Sequence, residues 1–218
     1  MQTFKVLAAL LAYPEPELLA HVDDLVAVVT EESILPTGHR RALTWFMHDL
    51  ALLDPLEAQE RYVALFDRNR SLSLHLYEHV HGESRDRGQA MVQLAELYRL
   101  HGLEIAAHEL PDYLPLFLEF LSLLPLKAAA SLLGEAIHVV AALRQRLAER
   151  DSPYAVVLGA VEALAAAPAE PAAIEDVLAM LKPEADSLAA LDRQWEEEAV
   201  RFTAAGGPDG SAAASCGR

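Results

Sequence analysis

The densest concentration of polar side chains runs through His75, Glu78, His79, His81, Glu83, Arg85, Asp86 and Arg87. His75 and His79 stand four residues apart. On a helix both imidazoles would share a face, as two ligands of a divalent metal do. Glu78 or Glu83 could add an oxygen ligand. Helical histidine pairs are common, however, and no third ligand stands at a diagnostic spacing. The reading this leaves is a polar network that ties a helix junction together, with no metal. His48 or His79 could carry phosphotransfer on a helical bundle, but neither sits in a motif for it. Gly-x-Gly-x-x-Gly, the phosphate-binding Gly-Lys-Ser/Thr loop, Gly-x-Ser-x-Gly and Cys-x-x-Cys are all missing from the sequence. No catalytic residue and no cofactor is expected.

Charge narrows the partners. Over 218 residues, 33 acidic side chains against 17 Lys and Arg give a formal charge of −16. Such a surface repels phosphate backbones and anionic membranes, so neither nucleic acid nor direct membrane insertion is expected. It attracts a basic peptide or a basic protein face. A hydrophobic share of 53% excludes a wholly disordered chain and is enough for a sizeable core. The single cysteine, Cys216, excludes an intramolecular disulfide and a cysteine-rich zinc site. Lys5 before the apolar run Val6 to Tyr13 mimics a signal peptide, but Pro14-Glu15-Pro16-Glu17 follows with no clear cleavage site. No stretch is expected to approach the roughly 20 apolar residues of a membrane span. A soluble, cytoplasmic protein is the expectation.

The elements that must position this polar block are helices. Val6, Leu7, Leu10 and Leu11 share a face that Pro14 ends, and Leu18 to Val29 continue the spacing as one second helix. Leu43, Phe46, Met47, Leu50 and Leu53 form a third stripe. Asp54-Pro55-Leu56-Glu57 starts another helix, with an N-cap, proline at the first position and a glutamate at the third, and should bury Leu56, Val63 and Phe66. Ser84 or Asp86 could cap a helix that runs to His101 and stops at a left-handed Gly102. Pro111-Asp112 opens the next, whose Leu114, Phe117 and Leu121 are either a central core face or one wall of a groove for a partner helix. Two more cover roughly 127–149 and 153–166. Runs of alternating β-branched residues are nearly absent. The fold class is therefore all-α: a single-domain helical bundle over 1–166 with a C-terminal extension. A linker follows at 167–173, then an amphipathic helical extension at 174–203 and a disordered tail at 204–218.

At Leu76-Tyr77-Glu78-His79-Val80-His81-Gly82-Glu83-Ser84-Arg85-Asp86-Arg87-Gly88-Gln89 the chain resembles the NarJ family, the assembly chaperones (delta subunits) of respiratory nitrate reductase. Further blocks agree in the same order: Asp54-Pro55-Leu56 before Glu60-Arg61-Tyr62-Val63-Ala64-Leu65-Phe66, Glu109-Leu110-Pro111-Asp112-Tyr113, Ser152-Pro153-Tyr154 and Leu191-Asp192-Arg193-Gln194-Trp195. The resemblance spans about residues 4 to 202. It implies an all-α molybdoenzyme maturation chaperone that is not an enzyme. Such a chaperone binds the apo catalytic (alpha) subunit of nitrate reductase through that subunit's N-terminal leader remnant and through a second contact. It holds the subunit competent for molybdenum cofactor insertion and membrane assembly, works with molybdenum cofactor biosynthesis proteins, and is not retained in the final complex.

The partner-binding positions that the resemblance implies are Glu78, His79, His81, Glu83, Arg85, Asp86, Arg87, Pro111, Asp112, Tyr113, Phe117 and Glu119. Related sequences usually place histidine where this chain has Tyr113. Two other readings stand beside this one. The first is an acidic all-α adaptor for another basic helical partner. The second is an enzyme, either metal-dependent through His75, His79 and His81 or a phosphotransfer module.

Overall fold

Apolar residues recur at helical spacing from the start of the chain, and the helices form where they do. The computed structural model describes residues 1–81, 85–105 and 109–180. In order, the helices are α1 (Gln2–Leu11), α2 (Pro16–Ala20), α3 (Val22–Glu32), α4 (Thr37–Ala51), α5 (Pro55–Tyr62), α6 (Leu76–His81), α7 (Arg85–Leu100), α8 (Leu114–Ser122), α9 (Leu126–Glu149), α10 (Ala155–Glu162) and α11 (Pro171–Met180). A π-turn at Val63–Asp67 and a 3₁₀ turn at Arg70–Leu72 join α5 to α6. No strand occurs among the described residues, which agrees with the all-α reading.

Two helices are apolar on nearly every side and form the centre. In α1, Phe4, Leu7, Leu10 and Leu11 are fully buried, and so are Leu114, Leu118 and Leu121 in α8. These two helices pack on each other, α1 also against α3. The α1 N-terminus is closed by Glu32 at the end of α3, whose carboxylate accepts from the Gln2 and Thr3 amides at 2.9 and 2.6 Å. Acidic charge at a helix N-terminus satisfies donors that have no partner within the helix. Burial alone pushes the Glu32 carboxyl up, but these hydrogen bonds prevail and hold it below its ordinary value.

Around this centre α4 packs on α3 and α10, and α9 packs on α6, α8, α10 and α11. The 24 residues of α9 are long and apolar enough, by length and composition alone, to cross a membrane. This corrects the expectation that no stretch approaches that length: Lys127, Glu135 and Arg144 punctuate the helix without lowering its mean hydropathy enough to disqualify it. Leu133, Ile137, Val140 and Leu147 are buried in the bundle, so this hydropathy is that of a core helix.

Several local expectations change. The single helix expected from Leu18 to Val29 is broken at His21, whose backbone (φ −113°, ψ 21°) leaves the helix between α2 and α3. Asp54 does cap α5, accepting from the Leu56 amide at 2.9 Å, but Glu57 pairs with Arg61 at 2.6 Å and does not reach back to the cap. Leu56 is 64% exposed, and the buried row is Ala58, Tyr62 and Phe66. A four-residue step carries this row into the π-turn, where the wider winding keeps Phe66 inward. At the other end of the block, α7 stops as expected, with Gly102 at φ +75°.

Past α10, Pro171 opens α11 inside the stretch expected to be a linker. Val177 is buried, and Arg146 of α9 donates to the Leu178 carbonyl at 3.3 Å, so residues 171–180 are held on α9. Leu188, Leu191, Trp195 and Phe202 of the extension, and the tail at 204–218, lie outside the described residues.

Candidate functional site

The recognisable block folds into one junction where two segments run alongside each other for a few residues. Leu114 donates its amide to the Leu74 carbonyl at 2.8 Å, and Leu76 donates to the Asp112 carbonyl at 3.0 Å, so His75 and Tyr113 form an isolated antiparallel bridge. This pairing explains why α8 begins at Leu114 and not at Pro111. The backbone of 111–113 is spent on the bridge, and Pro115 occupies an early helical position where a missing N–H costs nothing. It also moves His75 out of α6, so His75 and His79 do not share a helix face.

Asp112 is the centre of the junction and is 0% exposed. Its Oδ2 accepts from the Tyr77 amide at 3.1 Å, which caps the first turn of α6 from another segment of the chain. His75 Nδ1 lies 3.4 Å from Oδ1, at the outer limit of a hydrogen bond, and Arg87 Nη2 stands 3.7 Å from Oδ2. Burial alone would push this carboxyl up. The hydrogen bonds from His75 and Tyr77, with the charges of His75 and Arg87, outweigh burial and hold it below the usual carboxylate range. Asp112 is thus an anion whose compensation comes from three separate elements.

Around it the other polar groups are tied inward. His79 is buried with Nε2 2.6 Å from the Ser73 carbonyl, and burial pushes its pKa below the ordinary imidazole value despite that bond and the nearby Glu78 and Asp112. A neutral ring with Nε2–H donating to Ser73 is the form this environment favours. Glu78 accepts from Ser73 Oγ at 2.9 Å and from Arg70 Nε at 3.2 Å. Pro111 contributes its carbonyl, which accepts from Tyr98 Oη at 2.8 Å. Tyr62 Oη donates to the Leu11 carbonyl at 2.9 Å, and its oxygen lies 3.2 Å from Tyr113 Oη. Tyr113 therefore gives the junction a hydrogen-bonding tip.

Of the positions expected to bind a partner, the structure brings Glu78, His79, Arg87, Pro111, Asp112 and Tyr113 into this junction. Arg85 and Asp86 stand exposed at the start of α7. Phe117 is buried in the core, and with Leu114 and Leu121 it supports the core reading of that face. Glu119 lies on the rim of a separate groove of about 330 Å³ shared with Leu103, Ile105, Leu116 and Leu123. The His81 side chain and Glu83 lie outside the described residues.

Residue-by-residue reading missed Asn69, Ser71 and Ser73. Asn69 Oδ1 accepts from the Ser71 amide and hydroxyl at 3.0 and 2.8 Å, a turn that its Asn-x-Ser spacing could have suggested. No sequence signal points to Ser73, whose role depends on Glu78 and His79 folding back over it. Among the described residues no three His, Cys, Asp or Glu side chains gather as metal ligands would.

Comparison with known proteins shows the chain's family. The family pattern described as nitrate reductase delta subunit matches residues 34–158. The chain is 42% identical over 199 residues to the nitrate reductase molybdenum cofactor assembly chaperone NarJ of Escherichia coli K12, covering 91% of this chain and 84% of that one. It is 38% identical over 202 residues to the probable chaperone NarW of the same organism, covering 93% and 84%. A probable NarJ of Bacillus subtilis 168 is 35% identical over 156 residues, covering 72% and 84%.

Proposed function

This chain belongs to the nitrate reductase delta subunit family, and from that premise we propose that it binds the apo catalytic subunit of respiratory nitrate reductase through that subunit's N-terminal segment. It is a system-specific maturation chaperone for nitrate reductase. The observation that carries this reading is identity of 42% across 91% of the chain to a protein named for molybdenum cofactor assembly in that enzyme. In our reading the chaperone keeps the subunit competent for cofactor insertion and membrane assembly, works in the cytoplasm beside the cofactor biosynthesis proteins, and has no catalytic step of its own. The molybdenum cofactor is cargo for the client.

The junction supplies a rigid platform for this task. Asp112, His79 and Glu78 are turned inward and hold α6 and α8 in register, while Arg85, Asp86 and Glu119 remain open to a partner. A basic, helix-prone leader is drawn by the −16 surface, and the groove edged by Glu119 offers it apolar wall. We assign 1–166, with α11 held against α9, to the chaperone domain, and the chain from 181 to 203 to a second client contact. Linking two modest contacts raises affinity through effective concentration.

Co-purification tests the reading. Tagged full-length chain should capture the catalytic subunit from cells lacking molybdenum cofactor and should restore activity on later cofactor supply. Capture of some other basic helical protein, with no effect on nitrate reductase activity, would favour the acidic adaptor. A chain ending at residue 180 should still bind the leader peptide but activate poorly; full activation by it would remove the second contact.

A further inference from the structure

Beside the junction lies a cavity of about 220 Å³ walled by the rings of Tyr13, Tyr62, Phe66 and Tyr113 and bearing the carboxylates of Asp67 and Glu109. The walls come from five places in the chain: the turn after α1, the end of α5, the π-turn, the segment Ser73 to His75 before α6, and the segment leading into α8. Tyr13 stands edge-on to Tyr62 with centroids 5.8 Å apart, and Tyr62 leans on Phe66 at 4.9 Å. Tyr13 is 42% exposed and forms the mouth. With the Tyr62 proton given to Leu11, the Tyr113 proton goes to the Tyr62 oxygen, which leaves the Tyr113 oxygen as an acceptor.

His75 also lines this recess, but its nearest carboxylate is the buried Asp112, 3.4 Å from Nδ1. Neither Asp67 nor Glu109 has a hydrogen-bond or ion-pair partner among the described residues. Arg68 lines the adjoining hollow with Tyr13 and Leu56 and pairs with neither carboxylate. The negative field reaches the Tyr113 hydroxyl. Burial pushes its pKa up, and Glu109 and Asp67 push it up further, so that it ends above the ordinary value. Aromatic faces and carboxylates around one small space favour a cation, and a guanidinium best, because it stacks on rings and pairs with a carboxylate in the same pose.

The geometry points to a recess that receives one cationic side chain of a partner peptide, seated between Tyr13 and Tyr113 and paired with Asp67 or Glu109. The inference rests on the leader-binding reading for its occupant, since a basic leader offers that side chain. The cavity's size suits one side chain and no larger group, so the recess would set register while apolar grooves supply area.

Two probes separate failure of the recess from failure of that reading. Titration of the full chain with N-acetyl-argininamide should shift the Tyr13 and Tyr113 ring resonances, and N-acetyl-leucinamide should not. The Asp67→Asn/Glu109→Gln double variant should lose the shifts while melting at the wild-type temperature. No shift with the arginine probe overturns the recess, whatever the leader does. In the second experiment a peptide copying the catalytic subunit's first residues is titrated by calorimetry at several salt concentrations. The double variant should weaken it about tenfold and flatten the salt dependence. Equal affinity and equal salt slope in wild type and variant overturn the inference. Arginine-probe shifts without peptide binding uphold the recess and sink the leader as its occupant.

Discussion

The Asp112 junction and the α1–α8 centre adjoin along the chain, since Asp112 is two residues from the first residue of α8, yet they are held by opposite kinds of interaction. Leu118 and Leu7 are fully buried in apolar packing, where contact is non-directional and volume is what matters. Asp112 is as deeply buried, but its environment is directional: one amide at 3.1 Å, an imidazole at 3.4 Å and a guanidinium at 3.7 Å. The lesson is that equal burial carries unequal tolerance. A methionine in place of Leu118 keeps volume and pattern, whereas no uncharged residue at 112 answers both His75 and Arg87.

The sharpest way to break this contrast is a pair of near-isosteric changes followed by urea unfolding. Asp112→Asn should cost about 3–5 kcal/mol, because it leaves Arg87 largely buried without its counter-charge. Leu118→Met should cost less than about 1.5 kcal/mol. Similar losses in the two variants would mean that the junction is as permissive as the core.

The next effect is a pH dependence whose upper stage belongs to the junction. Burial lowers the His79 pKa, so the unfolded chain takes up a proton first, and stability falls as pH drops below about 6.5. Asp112 has a lowered pKa, so its contribution is complete above about 3.9 and is lost as pH falls through its folded value. Melting temperature should therefore decline in two stages on acidification. His79→Gln should remove the upper stage alone. An unchanged upper stage in that variant would place the titration elsewhere.

A smaller difference is expected at Tyr113. Tyr113→Phe keeps the ring against His75 and loses the hydroxyl contact with Tyr62, for about 0.5–1.5 kcal/mol by thermal unfolding. Tyr113→Leu should cost more, and equality of the two would show that the ring contributes nothing. Smallest of all is Arg85→Ala. Its side chain is exposed, so stability should stay within about 0.5 kcal/mol while capture of the catalytic subunit weakens. Parallel loss of both would show that Arg85 supports the fold and not the client contact.

Much of the architecture was legible because helical periodicity is a local property. The stripe Leu43, Phe46, Met47 and Leu50 is buried as its spacing requires, and Gly102 ends α7 in the left-handed conformation that glycine adopts without strain. The errors came where short-range rules compete. Leu56 fits an apolar stripe but lies on the face of α5 opposite the buried Ala58 and Tyr62, and the break at His21 has no proline or glycine to announce it. The polar block was legible as a cluster and as a family signature, yet its internal roles were not. His75 and His79 read as a helical pair, and only the bridge to Tyr113 takes His75 off the helix.

The sequence by itself determined the helical class, the acidic surface, the all-round apolar character of α1 and α8, and the kinship with nitrate reductase chaperones. Each of these depends on residue identity or on spacing within a few turns. Tertiary structure alone decided which charges are buried and which face outward. Asp112 and Asp86 are the same residue type in two recognisable blocks, but one is enclosed by residues distant in the chain, among them Tyr77, and the other stands in solvent. The energy of a carboxylate depends on the dielectric and on the partners around it. Those are set by segments that meet only when the bundle closes, at positions no local pattern records.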